Sequence, residues 1–211
     1  MSMRVERVFL DLDDVLVDFR TAFCKLIQVN PRDCFEQSKR KGVWGIAEAL
    51  GVHQQYLWDE LNTAGSEFWQ QLKPFSYTEG LIEMVGGINA SRDPEGPKSM
   101  GLRGYQLSRF CCILTHTGPD EQHLVFNGKK CLLSKMFVHG LASVDLCRDK
   151  TIHSQPGYVL IDDCPQVCEK WNARGGYAIQ FPSPVYHPEV IEQGTQLKFV
   201  RERLYKALLE A

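Results

Sequence analysis

Along this chain, short apolar runs end abruptly on polar residues. Val8-Phe9-Leu10 stops at Asp11, Cys111-Cys112-Ile113-Leu114 at Thr115, Val144-Asp145-Leu146-Cys147 at Arg148, and Tyr158-Val159-Leu160-Ile161 at Asp162; Gly176-Tyr177-Ala178-Ile179-Gln180 follows. Continuous apolar runs of this length suit strands covered on both faces. Between them, residues 119–139, 164–174 and 194–210 have helical patterns. In the last of these, Leu197, Val200, Leu204 and Leu208 recur at helical spacing and predict a face packed on the sheet. The alternation of strand and helix predicts an α/β fold, a doubly wound, Rossmann-like parallel sheet.

The first connection is too long for that scheme. From Asp18 to Pro74 there is no strand pattern, but helix-sized amphipathic pieces occur near 18–28, 31–40, 43–50 and 53–64, carrying Trp44, Trp58, Trp69, Phe19, Phe23 and Phe68. Residues 18–74 are therefore expected to form a small helical cap, with 1–17 and 75–211 as the core domain and hinges near 15–20 and 73–77. Ser76 and Glu79 offer a capping box for the helix that resumes the core. Residues 87–108, rich in Gly, Pro, Ser and Arg, predict a loop.

Composition narrows the classes of partner. The 211 residues suffice for one sizeable core plus an insertion, and a net charge of −2 advertises neither a nucleic-acid nor a membrane partner. No apolar stretch reaches the ~18 residues of a membrane span, and the first ten residues lack a signal-peptide core. The eight cysteines show no CxxC spacing and lie largely in apolar patterns, so reduced thiols and a cytoplasmic location are expected. Cys111 and Cys112, adjacent in a strand, would point to opposite faces.

The chemistry lies where the strands end. Asp11 and Asp13, then Thr115, then Lys150, then Asp162 and Asp163 each follow an apolar run, and in open α/β sheets ligands bind at that edge. Clustered carboxylates repel one another and a phosphate, at ~4 kcal/mol per pair 4 Å apart for an effective dielectric of ~20, unless a cation sits between them. The set fits phosphate-ester hydrolysis. Asp11 supplies an oxygen nucleophile and Asp13 a proton for the leaving group; Thr115 and Lys150 bind phosphate oxygens, and Asp11 and Asp163 hold a hard cation such as Mg2+.

In DLDDV, ILTHTG, CRDKT and VLIDD, this order resembles the phosphatase branch of the haloacid dehalogenase (HAD) superfamily. DLDDVLVDF, FWQQLKPFSYTEGL and CRDKT further resemble the 5′(3′)-deoxyribonucleotidase group. The resemblance implies an aspartyl-phosphate mechanism with Asp11 as nucleophile and Asp13 as acid and then base. It also implies a metal held by Asp11, the Asp13 carbonyl and Asp163, with Asp162 in support. Three departures are visible: Asp14 stands where the family often has Gly, His116-Thr117-Gly118 follows the strand-two hydroxyl where the group commonly has a small residue, and the 87–108 loop is longer than theirs.

The expected substrate is a small phosphate ester, preferably a (deoxy)nucleoside monophosphate, acted on without a membrane or nucleic-acid partner; a homodimer is left open. A sugar or polynucleotide-end phosphatase on the same core, or a catalytically silent HAD-fold binding protein, are the alternatives. A dehalogenase is disfavoured by Asp13, and the basic cluster Arg92, Lys98, Arg103 and Arg109 is too weak to demand a polynucleotide. His116 is carried as a phosphate-binding candidate although, like His123, it also reads as a surface residue. Lys129, Lys130 and Lys135 read as a solvated helix face, Cys164 and Cys168 as helix packing, and the cap aromatics chiefly as that lobe's own core.

Overall fold

The computed structural model describes residues 5–90, 111–118, 123–137 and 144–210. Five strands form one parallel sheet: β1 (Arg7–Leu10), β2 (Cys111–His116), β3 (Val144–Cys147), β4 (Tyr158–Asp162) and β5 (Tyr177–Gln180), in the order β3-β2-β1-β4-β5. Every pairing is parallel, with Leu10 set between Ile113 and Ile161. The chain winds outward from β1 through β2 to β3, then returns to the other side of β1 for β4. The reversal of strand order therefore falls between β1 and β4, where a doubly wound sheet opens a crevice at its carboxyl edge.

Both faces of the sheet are covered. Val8 and Leu10 belong to the larger core, while Phe9 joins Cys112, Leu114, Leu160 and Trp171 in a second cluster on the opposite face. Cys111 and Cys112 accordingly fall on opposite sides, and all eight cysteines are free thiols. On the outside of the sheet, α7 (Pro165–Ala173) brings the buried Trp171, and α9 (Gln196–Glu210) buries Val200 and Leu204 against β5 and α5 (Thr78–Ala90). The side chain of Leu208 lies outside the described residues. A short helix, α8 (Pro188–Glu192), precedes α9 and had no counterpart in the sequence pattern.

The insertion is helical throughout: α1 (Phe19–Leu26), α2 (Pro31–Lys41), α3 (Ile46–Leu50) and α4 (Gln54–Gln70). α4 runs past the expected end at 64 and is kinked at Gly65, whose φ of 69° and ψ of −163° few other residues would adopt. Beyond the kink α4 packs on α6 (His123–Met136) of the core, so closely that a Cβ on Gly128 would lie 2.6 Å from the Ser66 carbonyl and from Trp69 Cβ. The two chain crossings into the insertion run antiparallel: Asp18 N–H donates to Lys73 O and Phe75 N–H to Leu16 O.

Two local expectations change. α5 begins at Thr78, so Ser76 sits too early to cap it; Thr78 instead donates its hydroxyl to Leu16 O, tying the helix start to the chain just before the insertion. α5 also continues to Ala90, so the first residues of the expected 87–108 loop are helical. The rest of that loop, with Arg92, Lys98, Arg103 and Arg109, lies outside the described residues, as do the ends of the 119–139 segment around α6. Among the described residues no helix is long and apolar enough to cross a membrane.

Candidate active site

Asp11 follows the last residue of β1, and its N–H still donates to Ile161 O of β4, which places its carboxyl at the crevice. The next residues turn sharply. Asp14 has φ +58°, left-handed backbone in which Asp is tolerated better than most side chains, so the position where relatives of the resembled family carry Gly demands a glycine-like conformation here too. Asp14 offsets that cost through its carboxylate, which accepts from Arg20 N–H at the start of α1. Its carboxyl is pushed up to about 7 by burial, against the pull of the Arg20 guanidinium.

Asp162 and Asp163 close β4 on the adjacent strand. Oxygens of Asp11, Asp162 and Asp163 lie within 4.8 Å of one another, all three residues buried. Lys150 spans two of them, with Nζ 2.6 Å from Asp11 Oδ1 and 2.7 Å from Asp162 Oδ2. Burial opposes its charge, but these two carboxylates hold the ammonium protonated well above the ordinary lysine range. Lys150 opens a short 3-10 helix (Lys150–His153) whose N-cap, Asp149, accepts from Thr151 N–H. The expected juxtaposition of Asp11, Lys150 and the Asp162–Asp163 pair is thus present at one edge of the sheet.

The sequence reading missed Lys129. Expected on a solvated face, it is 1% exposed, whereas Lys130 and Lys135 are exposed. The buried positions of α6 are Val125, Gly128, Lys129, Leu132, Leu133 and Met136, so Lys129 sits within the apolar stripe, and Gly128 lets the helix approach α4. Its Nζ donates to Asp13 Oδ2, to Thr115 Oγ1 at 2.9 Å and to His116 O at 2.8 Å, and lies 4.7 Å from the Trp69 ring centroid. A lysine interrupting an otherwise apolar helical stripe was the available signal.

Thr115 and His116 end β2 in different roles. Thr115 is fully buried, with its hydroxyl accepting from Lys129, which lines the cavity in front of it. The His116 ring reaches the cavity wall, but Nδ1 accepts from Gly118 N–H, and burial, aided by Lys129 and Lys150, depresses its basicity. The imidazole is therefore neutral and offers polarity, not positive charge, to an anion. His123 is exposed at the start of α6. Cys168 is buried on α7 and donates to Asp162 O, a packing role.

Another contact unforeseen from the sequence comes from the insertion. Trp44 Nε1 donates to Asp163 Oδ2 at 2.8 Å, and Arg20 donates to Trp44 O and Ser38 Oγ. The path Asp14–Arg20–Trp44–Asp163 joins the β1 turn to the β4 pair through the cap. Between the helical insertion and the carboxyl edge of the sheet lies a cavity of about 530 Å³, of the size that takes a small ligand. Its floor carries Asp11, Asp13, Lys129 and Lys150; Trp44 and Trp58 stand in its walls. Phe19 also borders it, stacked on Phe23 and Trp69 at centroid distances of 5.9 and 5.3 Å.

The charges fit a divalent cation. Among the described residues, Asp11, Asp13, Asp14, Asp162 and Asp163 face Arg20, Lys129 and Lys150 as buried cations, with the exposed Arg148 and Lys170 at the cavity lining. Burial, followed by the neighbouring carboxylates Asp14, Asp162 and Asp11, raises Asp163 well above the ordinary range. Asp162 spends one oxygen on Lys150 and the other on Cys164 N–H. Both contacts to Asp11 fall on Oδ1, from Leu12 N–H and Lys150. Asp163 is engaged through Oδ2 by Trp44. Among the described residues, Asp11 and Asp163 thus each have an oxygen that could hold a hard cation, with Asp162 orienting Lys150 behind them. Asp13 Oδ1 is buried without a hydrogen-bond partner among the described residues.

No family model and no curated protein matches the chain. Among solved structures it is similar to a phosphonoacetaldehyde hydrolase-like protein from Oleispira antarctica, at 12% identity and TM-score 0.49 over 98% of this chain and 86% of that one. It is also similar to a HAD family hydrolase from Deinococcus radiodurans R1 with bound phosphate and sodium, at 13% and 0.47 over 100% and 99%. A third is the L-2-haloacid dehalogenase of Xanthobacter autotrophicus with chloropropionic acid covalently bound, at 10% and 0.41 over 92% and 86%.

Proposed function

We propose that this protein is a divalent-cation-dependent phosphomonoesterase of the HAD type, acting on a small phosphate ester, with a nucleoside or deoxynucleoside monophosphate as the preferred class. The observation that carries the reading is the meeting of Asp11 and Asp13 with two buried lysines on the floor of a cavity walled by aromatic rings. Mg2+ held by Asp11 and Asp163 would neutralise the carboxylates and the phosphate they face.

The chain's own groups account for both halves of a double displacement. Lys150, anchored by Asp162, aims the Asp11 carboxylate, whose oxygen not given to the cation forms the bond to phosphorus as the ester P–O bond breaks. Asp13 gives its proton to the departing alcohol. Water then attacks the aspartyl phosphate, Asp13 takes its proton, and cleavage of the P–O bond to Asp11 frees inorganic phosphate. Burial is the largest influence on Asp13 and raises its pKa, while Lys129 opposes it. A bound phosphate that draws Lys129 toward its oxygens would raise the Asp13 pKa further and favour the protonated form that a proton donor needs. Closure of the cap excludes water during transfer, and the antiparallel crossings at Leu16–Asp18 and Lys73–Phe75 are the natural hinge.

The nucleotide preference rests on Trp44 and Trp58, flat rings against which a base can stack at ~1–3 kcal/mol. Turnover of a panel of phosphate esters, with and without Mg2+, tests the reaction. Asp11→Asn should abolish turnover while the unfolding transition is kept; an active variant would overturn the assignment. Trp58→Ala should raise KM for a nucleoside monophosphate while sparing a non-aromatic phosphate ester, and equal effects on both would remove the nucleotide.

A further inference from the structure

We propose that Asp145, Cys147 and His153 form a second metal site, for a borderline divalent cation of the zinc class, that ties the edge strand β3 to the 3-10 helix carrying Lys150. The three residues present an oxygen, a sulfur and an imidazole nitrogen, all within 4.8 Å of one another. Asp145 and Cys147 are two apart on β3 and so share a face; His153 ends the helix that Lys150 begins. The Phe9 ring, 5.8 Å from the imidazole centroid, supports His153 from the sheet.

His153 Nε2 is the second observation. It lies 3.0 Å from Asp145 Oδ2 yet is buried without a hydrogen bond among the described residues. The pair is an ion contact without hydrogen-bond geometry, and a metal bound by both atoms would satisfy both. The donor set separates this site from the all-oxygen cluster of Asp11, Asp162 and Asp163: thiolate and imidazole favour Zn2+ or Co2+, carboxylate alone Mg2+. One carboxylate and one thiolate balance a dication. The side chains of His153 and Asp145 are 28% and 42% exposed, which leaves room for a water as fourth ligand. Without metal, burial and the nearby Asp145 push the Cys147 thiol up to about 12; on binding, its proton passes to solvent. No step of phosphoryl transfer uses these residues, but a metal here would fix the helix three residues from Lys150.

The test is a Co2+ titration of the full chain, reduced and saturated with Mg2+. A thiolate-to-cobalt charge-transfer band should grow to about one equivalent, release about one proton per metal near neutral pH, and disappear on adding Zn2+. Cys147→Ser should abolish the band, and His153→Gln and Asp145→Asn should each weaken binding at least about tenfold. No band in the parent protein, or an undiminished band in Cys147→Ser, overturns the site. Should Cys147→Ser fail to fold, full-strength binding by both other variants does the same. Asp11→Asn keeps the band, so loss of the phosphatase reading and loss of this site are separately visible.

Discussion

Replacing Lys129 by Met removes a buried ammonium while keeping most of the side-chain volume. The structure sets the size of the effect. Lys129 pairs with Asp13, whose other oxygen already has no partner among the described residues, and it also satisfies Thr115 Oγ1 and His116 O. Opposite charges ~4 Å apart attract by ~4 kcal/mol at an effective dielectric of ~20, and breaking a buried pair from one side costs about 3–5 kcal/mol. Asp13 can escape part of that by binding a proton. Burial already raises its folded pKa, and loss of Lys129 raises it further. A carboxyl whose folded pKa is raised favours folding at low pH and loses that contribution as pH climbs through the folded value. The variant should therefore be destabilised by only about 1–2 kcal/mol at pH 5, the cost of the two orphaned acceptors, and by about 3–5 kcal/mol at pH 8. Urea unfolding followed by far-UV circular dichroism, at one fixed Mg2+ concentration, measures both. An equal loss at the two pH values would mean that Lys129 only fills space, and the Asp13 pairing would be refuted.

Other outcomes follow from the same contacts. Trp44→Phe removes the donor to Asp163 and makes the carboxylate more basic; the Mg2+ concentration for half-maximal activity should fall by up to about tenfold, and no change would deny that the indole weakens the carboxylate's hold on the cation. Gly128→Ala drives a methyl into the Ser66 carbonyl and Trp69, so thermal unfolding should report a loss of about 1–3 kcal/mol; a neutral result would show that α4 and α6 can part freely. Asp149→Ala uncaps the helix of Lys150 at a cost of about 0.5–1 kcal/mol at pH 7, while Asp149→Asn retains most of it. The hydrogen bond from Thr151 depresses the Asp149 pKa, so this contribution holds above the unfolded value and fades as pH falls through the folded one; denaturant curves of both variants over pH 4–7 check it.

Much of this architecture was legible in the residue order. Apolar runs ending on Asp11, Thr115, Arg148 and Asp162 marked four strands and the edge where their polar residues gather, because a strand buried on both faces leaves its polar residues at its end. The helical insertion was visible in its amphipathic spacing. Less legible was where each helix face would turn. Lys129 belongs to a Lys-Lys pair that resembles a solvated surface, and only the packing of α6 against α4 sends one member inward and the other out.

Taken alone, then, the order of residues determined the parallel sheet, the insertion and the carboxylates at the crevice, since periodicity and strand ends are local properties of the chain. Tertiary structure alone decided that Lys129 reaches Asp13 and that Trp44, 119 residues away in sequence, holds Asp163. It also brought His153 to the Asp145–Cys147 face of an edge strand. Such contacts depend on the relative placement of separately formed elements, a placement set by how their surfaces pack and not by any short stretch of sequence.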